Sequence, residues 1–108
     1  MNQGTETDIL RVDRVIHEPA RLLILTILSR VAAAEFKFLE TASGLSKGNL
    51  SSHLSKLEDE GYVIQTKSFR GKIPLTTVAI TKEGTGRLKE YQKQMRRLIE
   101  RGLRETTT

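Results

Sequence analysis

A chain of 108 residues that is 37% hydrophobic has apolar material for one modest core and not for two. The lack of cysteine excludes a disulfide framework, a cysteine-held zinc site and a thiol nucleophile, so packing within the chain or against a partner subunit must carry the fold, and the expected compartment is the cytoplasm. A net charge of +5, from 18 Lys plus Arg against 13 Asp plus Glu, favours a polyanionic partner without deciding for one, because an inert basic surface reads the same way.

The charge is unevenly spread: residues 1–45 carry 5 positive and 6 negative side chains, residues 46–72 carry 5 and 3, and residues 82–108 carry 8 and 4. Residues 1–10 lack the basic and apolar regions of a signal peptide. The longest apolar stretch, 22–28, covers about a third of a bilayer, so no membrane role is expected. Asn49-Leu50-Ser51 fits a glycosylation acceptor, a match without consequence in a protein that is not secreted.

In chain order, Ile9, Leu10, Val12, Val15 and Ile16 recur at helical spacing behind Thr7 and Asp8, either of which suits an N-cap, and predict a first short helix. His17-Glu18-Pro19 interrupts it, and proline in a first turn opens a second helix over 19–31. Leu22, Leu23, Ile24, Leu25, Ile27, Leu28 and Val31 leave that helix almost no polar face, which predicts a buried central element. Phe36, Phe38, Leu39 and Ala42 place a short third helix over 36–43, entered through a brief extended piece.

Gly44 is the left-handed stop for that helix, Leu45 anchors the turn, and Ser46 caps a fourth helix over 47–60 that Gly61 ends. Helix, glycine turn and helix make a helix-turn-helix over 36–60. Residues 62–69 and 73–80 are rich in β-branched and aromatic side chains and predict a β-hairpin over 62–80 joined by Arg70-Gly71-Lys72, with Pro74 at a strand start or an edge. Thr81 caps a last long helix over 82–104, with Glu83 in its first turn and a frayed tail from Thr106 to Thr108. The expected fold is mainly α with a small β-hairpin (α+β), in a single domain over 1–108, with no repeat and no linker.

On the fourth helix, Leu50, Leu54 and Leu57 form one narrow stripe, while Gly48, Ser51, Ser52, Ser55, Lys56 and Asp59 face the other way. A helix enters the major groove only if its exposed side lacks bulk and carries short donors and acceptors. Asn49, beside that face, suits a bidentate contact to adenine, and Lys47 suits guanine or a phosphate. Glu58, Asp59 and Glu60 would meet phosphates with carboxylates, so only the first two or three turns are expected in the groove. Lys67, Arg70 and Lys72 make the hairpin tip cationic, and Arg70 is the best candidate for a narrow minor groove. The plain alternatives are a solvated polar face and charges that keep a hairpin edge soluble.

Residues 10–15, then His17-Glu18-Pro19-Ala20-Arg21, Gly44-Leu45-Ser46-Lys47-Gly48-Asn49-Leu50-Ser51-Ser52-His53-Leu54, Leu57-Glu58, Gly61-Tyr62-Val63 and Thr81-Lys82-Glu83-Gly84 together carry a resemblance. Over about residues 12–92 the chain resembles the winged-helix regulators of the arsenical-resistance (ArsR) and multiple-antibiotic-resistance (MarR) types, especially their small members made of the DNA-binding domain alone. The resemblance implies a winged helix-turn-helix with recognition helix 46–60, wing 67–72 and a homodimer. Metal-sensing members use cysteines before the recognition helix or histidine and carboxylate ligands in the last helix. This chain has no cysteine and no histidine after His53, so no metal is expected.

In the last helix Leu88, Tyr91, Met95 and Leu98, with Ile99 and Leu103 beside them, make a heptad-like seam, and with Ile9 and Val12 of the first helix they are the expected dimer contact. Packing of the seam on the chain's own first helix is the alternative, and both hold if that helix joins the dimer core. Arg87, Lys89, Lys93, Arg96, Arg97 and Arg101 keep the other side basic. A dimer sets two recognition helices about one DNA turn apart and favours a palindrome. If Lys47, Lys56, Lys67, Arg70 and Lys72 of both subunits met phosphates, the log–log salt slope would reach roughly −9 as an upper bound.

Enzymatic readings find little to stand on. His17 and His53 sit in no metal-ligand motif, and Gly84-Thr85-Gly86 lacks the third glycine of a dinucleotide fingerprint. Gly71-Lys72 lacks the rest of a phosphate loop, and His53 beside the leucine stripe suits helix packing or a phosphate contact. The sequence therefore predicts a homodimeric transcriptional regulator, of the repressor kind, that binds specific double-stranded DNA through Ser46, Lys47, Gly48, Asn49, Ser51, Ser52, Ser55, Lys56, Lys67, Arg70 and Lys72, with no catalytic residue and no cofactor. An effector ligand is left open. The competing expectation is a winged-helix protein-interaction module, which would more naturally expose apolar anchors.

Overall fold

The computed structural model describes residue 9 and residues 11–106 of the chain. Residues 11–18 are turns and not the expected helix. The reason lies in Asp13, whose Oδ1 accepts from the backbone N–H groups of Val15 (2.9 Å) and Ile16 (3.2 Å) and so competes with helical bonding for those donors. Of the rest of that expected helix only Ile9 is described, as helical; Leu10 and the caps Thr7 and Asp8 lie outside the described residues, as do Thr107 and Thr108 of the tail.

Helix α1 (Pro19–Leu28) starts with proline in its first turn and with the Glu18 carboxylate accepting from Arg21 N at 2.8 Å. It stops at Leu28 and not at residue 31, because Arg30 N and Val31 N close shorter turns onto Ile27 O and Leu28 O. Ile24, Leu25 and Leu28 face the core, but Leu23 is 41% exposed, so the helix is not enclosed on every side as its composition suggests.

Strand β1 (Ala34–Glu35) leads into α2 (Phe36–Ser43), which ends on Gly44 at φ 72°. Only glycine takes that left-handed conformation without a Cβ clash, and it turns the chain sharply into α3 (Lys47–Asp59). Ser46 Oγ accepts from Asn49 N at 3.2 Å, so the cap read from the sequence is in place. Strands β2 (Val63–Arg70) and β3 (Ile73–Ile80) form the hairpin, tightened by a positive-φ Gly71, and β1 pairs on the far side of β3 to give the antiparallel order β1-β3-β2. Pro74 is tolerated in the central strand because β1 reaches only Thr77 and Val78, leaving the tip half of β3 unpaired on that side.

Helix α4 (Lys82–Glu105) opens with Thr81 Oγ1 accepting from Gly84 N at 2.9 Å. A Cβ on Gly84 would lie 2.3 Å from Tyr62 O, so glycine there is what lets α4 start against the turn between α3 and β2. The core gathers Val12 and Ile16 from the N-terminal turns, Ile24, Leu25 and Leu28 from α1, Leu39 from α2, the α3 leucines, Val63 and Val78 from the sheet, and Leu88 and Tyr91 from α4. Each buried leucine of α3 contributes about 1.5–3 kcal/mol relative to exposure. The principal extents of 63 × 23 × 22 Å describe an elongated molecule. Among the described residues no helix is long and apolar enough to cross a membrane.

Candidate nucleic-acid interface

Leu50, Leu54 and Leu57 have no exposure at all, and that burial fixes the roll of α3. Ser46, Lys47, Gly48, Asn49, Ser51, Ser52, Ser55 and Lys56 are consequently all exposed, in one continuous strip along the first turns. A Cβ built on Gly48 meets nothing within 4 Å, so the chain's own packing does not call for a glycine there. The helix accepts a cost of about 0.5–1 kcal/mol relative to alanine and keeps the strip slim.

Two ties hold α3 in place. His53, half-buried, has Nδ1 3.3 Å from Arg21 Nη1 and 4.0 Å from Glu18 Oε1, while Arg21 Nε donates to Val15 O at 2.6 Å. His53 therefore packs α3 onto the start of α1. At the other end Gln65 of β2 donates to both oxygens of Glu58, from Nε2 at 2.9 Å and from its backbone N at 3.2 Å. Glu58, read as a carboxylate unfavourable to phosphate, is thus the group that fastens the hairpin to α3. His53 does pack helices, as its place beside the leucine stripe suggests, but sequence reasoning missed its partners Arg21 and Glu18 and the whole of the Glu58–Gln65 tie. The Glu18/Arg21 spacing at a helix start was the available signal for one, and no local signal exists for the other.

Strand pairing decides where the tip cations point. Val63, Gln65, Lys67 and Phe69 alternate onto the face that packs on α3, and Ser68, Arg70, Ile73 and Leu75 onto the opposite one. Arg70, the expected minor-groove residue, is engaged there: Nη2 donates to Glu35 Oε2 at 2.6 Å. Lys67 and Lys72 are exposed. A cleft of about 420 Å³ between the hairpin and α2 is lined by Phe36, Lys37, Lys47 and Arg70 among others, so exposed Lys37 adds a cation that the sequence reading did not single out.

Behind the interface, Asp13 Oδ2 accepts from Tyr62 OH at 2.5 Å and lies 3.5 Å from Arg87 Nε. Burial first, and the Asp13 contact second, push the Tyr62 hydroxyl up to about 12. This cluster binds the N-terminal turns, the turn between α3 and β2, and α4 together. His17 Nδ1 likewise meets Tyr91 OH at 2.8 Å.

The apolar seam of α4 divides. Val12, Leu88 and Tyr91, expected at a subunit contact, are buried in the chain's own core, because the turns at 11–18 fold back over the start of α4. Met95 and Leu98 pack partly against that core. Ile9, Ile99 and Leu103 remain 49%, 63% and 61% exposed. A groove of about 730 Å³ runs between α1 and α4, lined by Leu22, Thr26, Tyr91, Met95, Arg96 and Ile99 among others. Among the described residues no three His, Asp or Glu side chains cluster as a metal site.

A glycine-turn helix pair that exposes a slim polar strip, followed by a hairpin fastened to its second helix, is a winged helix-turn-helix. The chain belongs to the winged helix DNA-binding domain family, whose sequence model matches residues 20–99. It is 34% identical over 79 residues to an uncharacterised protein of Methanocaldococcus jannaschii, across 72% of this chain and 85% of that one. The structure of a transcriptional regulator homologue from Pyrococcus horikoshii OT3 superposes with a TM-score of 0.81 at 30% identity, covering 95% of this chain and 98% of that chain. A MarR family transcriptional regulator from Silicibacter pomeroyi shares the fold, with a TM-score of 0.61 and 23% identity over 73% of this chain and 51% of its own.

Proposed function

We propose that the protein is a homodimeric transcriptional regulator, a repressor, that binds a specific palindromic duplex with α3 in the major groove and the hairpin as a wing on the adjoining backbone or minor groove. One observation carries this reading: every polar residue of the strip from Ser46 to Lys56 is open to solvent while the leucines behind it are wholly buried. The strip has the width and the chemistry that base edges require, Asn49 for adenine and the serines and Lys47 for bases or phosphates. Lys37, Lys56, Lys67 and Lys72 contribute phosphate contacts, and so does Arg70 once it leaves Glu35. The likeness to the transcriptional regulator homologue from Pyrococcus, at 30% identity over nearly the whole of both chains, supports the same reading.

The dimer rests on Ile99 and Leu103, apolar residues at helical spacing on the part of α4 that its own domain leaves bare. The groove between α1 and α4 receives the same helix of the second subunit. Site of action is the cytoplasm, where the duplex is available.

Selection of bound duplexes from a random library tests the proposal. The expected product is a two-fold symmetric consensus with half-sites about one helical turn apart, bound with a steep salt dependence. Affinity no greater than that of a charge-matched control protein at moderate salt would overturn it.

A further inference from the structure

The wing tip carries more than charge. Phe69 is 70% exposed, among the largest exposures of the apolar side chains in the described residues. Its cross-strand partner is Pro74, at the tip end of the hairpin and away from the core. It stands in the row Val63, Gln65, Lys67, Phe69, the face on which Gln65 is bonded to the recognition helix. Arg70 is on the other face and is drawn back to Glu35. The group that projects on the α3 side of the tip is therefore an aromatic ring flanked by Lys67, with Lys72 in the turn.

Starting from the DNA-binding reading above, we propose that Phe69 is a specificity-determining wedge: its ring enters the minor groove beside each half-site and partly opens a base step there, while Lys67 and Lys72 hold the flanking phosphates. The surroundings of the ring favour a duplex as occupant. The cations on its own face and in the turn match phosphate, Glu35 on the opposite face is paired with Arg70, and Glu58 on the α3 side is taken up by Gln65, farther from the tip. Apolar side chains inserted between base steps kink a duplex, and pyrimidine–purine steps yield most readily. The wing would thus select TA or CA/TG steps in the flank without reading base edges.

The test uses the duplex selected by the wild-type protein, with the flanking step changed from TA to GC and a 2-aminopurine placed beside it. Wild type is expected to bind the TA flank about tenfold more tightly than the GC flank and to raise the 2-aminopurine fluorescence. Phe69→Ala should lose both the preference and the fluorescence rise while keeping half-site discrimination and thermal stability; Phe69→Leu should keep part of both. Lys67→Ala should lower affinity equally for both flanks and reduce the salt slope. A wild-type protein that binds its half-sites with no flank preference, or a Phe69→Ala protein that retains the preference, overturns the wedge and leaves the DNA-binding reading standing. Failure of the wild type to discriminate any duplex overturns both.

Discussion

The apolar stripes of α3 and α4 look alike in the sequence, with leucines or their equivalents three and four residues apart, yet Leu50, Leu54 and Leu57 are wholly buried while the α4 stripe passes from buried at Leu88 to bare at Leu103. A stripe states that something must cover it; it does not state what. In α3 the chain itself supplies the cover, and the opposite strip stays open to solvent. In α4 the domain covers the stripe fully at Leu88 and Tyr91 and partly at Met95 and Leu98, and leaves Ile99 and Leu103 bare; on the dimer proposed above, a second subunit covers those two.

The largest effect should separate the two stripes directly. Leu54→Ala is expected to cost about 2–5 kcal/mol in denaturant unfolding, from lost burial and a residual cavity. Ile99→Ala should change unfolding of the dilute protein by less than about 0.5 kcal/mol. Next comes the pair Ile99→Asp and Leu103→Asp, which should weaken self-association at least about 100-fold in sedimentation, since two carboxylates would have to be buried unpaired, with little change in domain stability. Equal losses of domain stability for Leu54→Ala and Ile99→Ala would erase the distinction.

A third effect tests the cluster that joins the two helices. Tyr62 holds its proton up to about pH 12 in the folded chain, against an ordinary value of 10.0. Its contribution is therefore complete below pH 10 and is lost as the pH rises towards 12, because the unfolded chain releases the proton first. The stability difference between wild type and Tyr62→Phe should shrink by roughly 2–3 kcal/mol across that window and stay flat below it.

The smallest effect carries the contrast of covered and bare to the wing, where Arg70 is covered by Glu35 and Lys67 is not. Glu35→Gln should alter stability by less than about 1 kcal/mol, as expected of an exposed pair. It should also raise affinity for DNA about two- to fivefold by freeing the guanidinium for phosphate. Reduced affinity would mean that Glu35 positions Arg70 for the duplex and does not compete with it.

Local chemistry was legible in the sequence. Gly44, Ser46, Gly61 and Thr81 each announce a boundary through a conformation or a hydrogen bond that few other residues supply, and the leucine spacing gives the roll of α3. What escaped depends on distant partners. Asp13 reads as one more polar residue in a helical pattern until Val15 N, Ile16 N and Tyr62 OH are seen on its carboxylate. Gly84 reads as composition until Tyr62 O is found where its Cβ would be. Arg70 reads as a free wing cation until strand parity turns it to Glu35, and Val12, Leu88 and Tyr91 read as a dimer seam until the N-terminal turns cover them.

The most direct test places bulk on the slim side of α3. Ser52→Tyr projects into solvent in the free protein, so its melting temperature should match wild type, while affinity for the selected duplex should fall at least about 100-fold, because a groove-bound helix has no room for the ring. An unaltered affinity for that duplex would contradict the account.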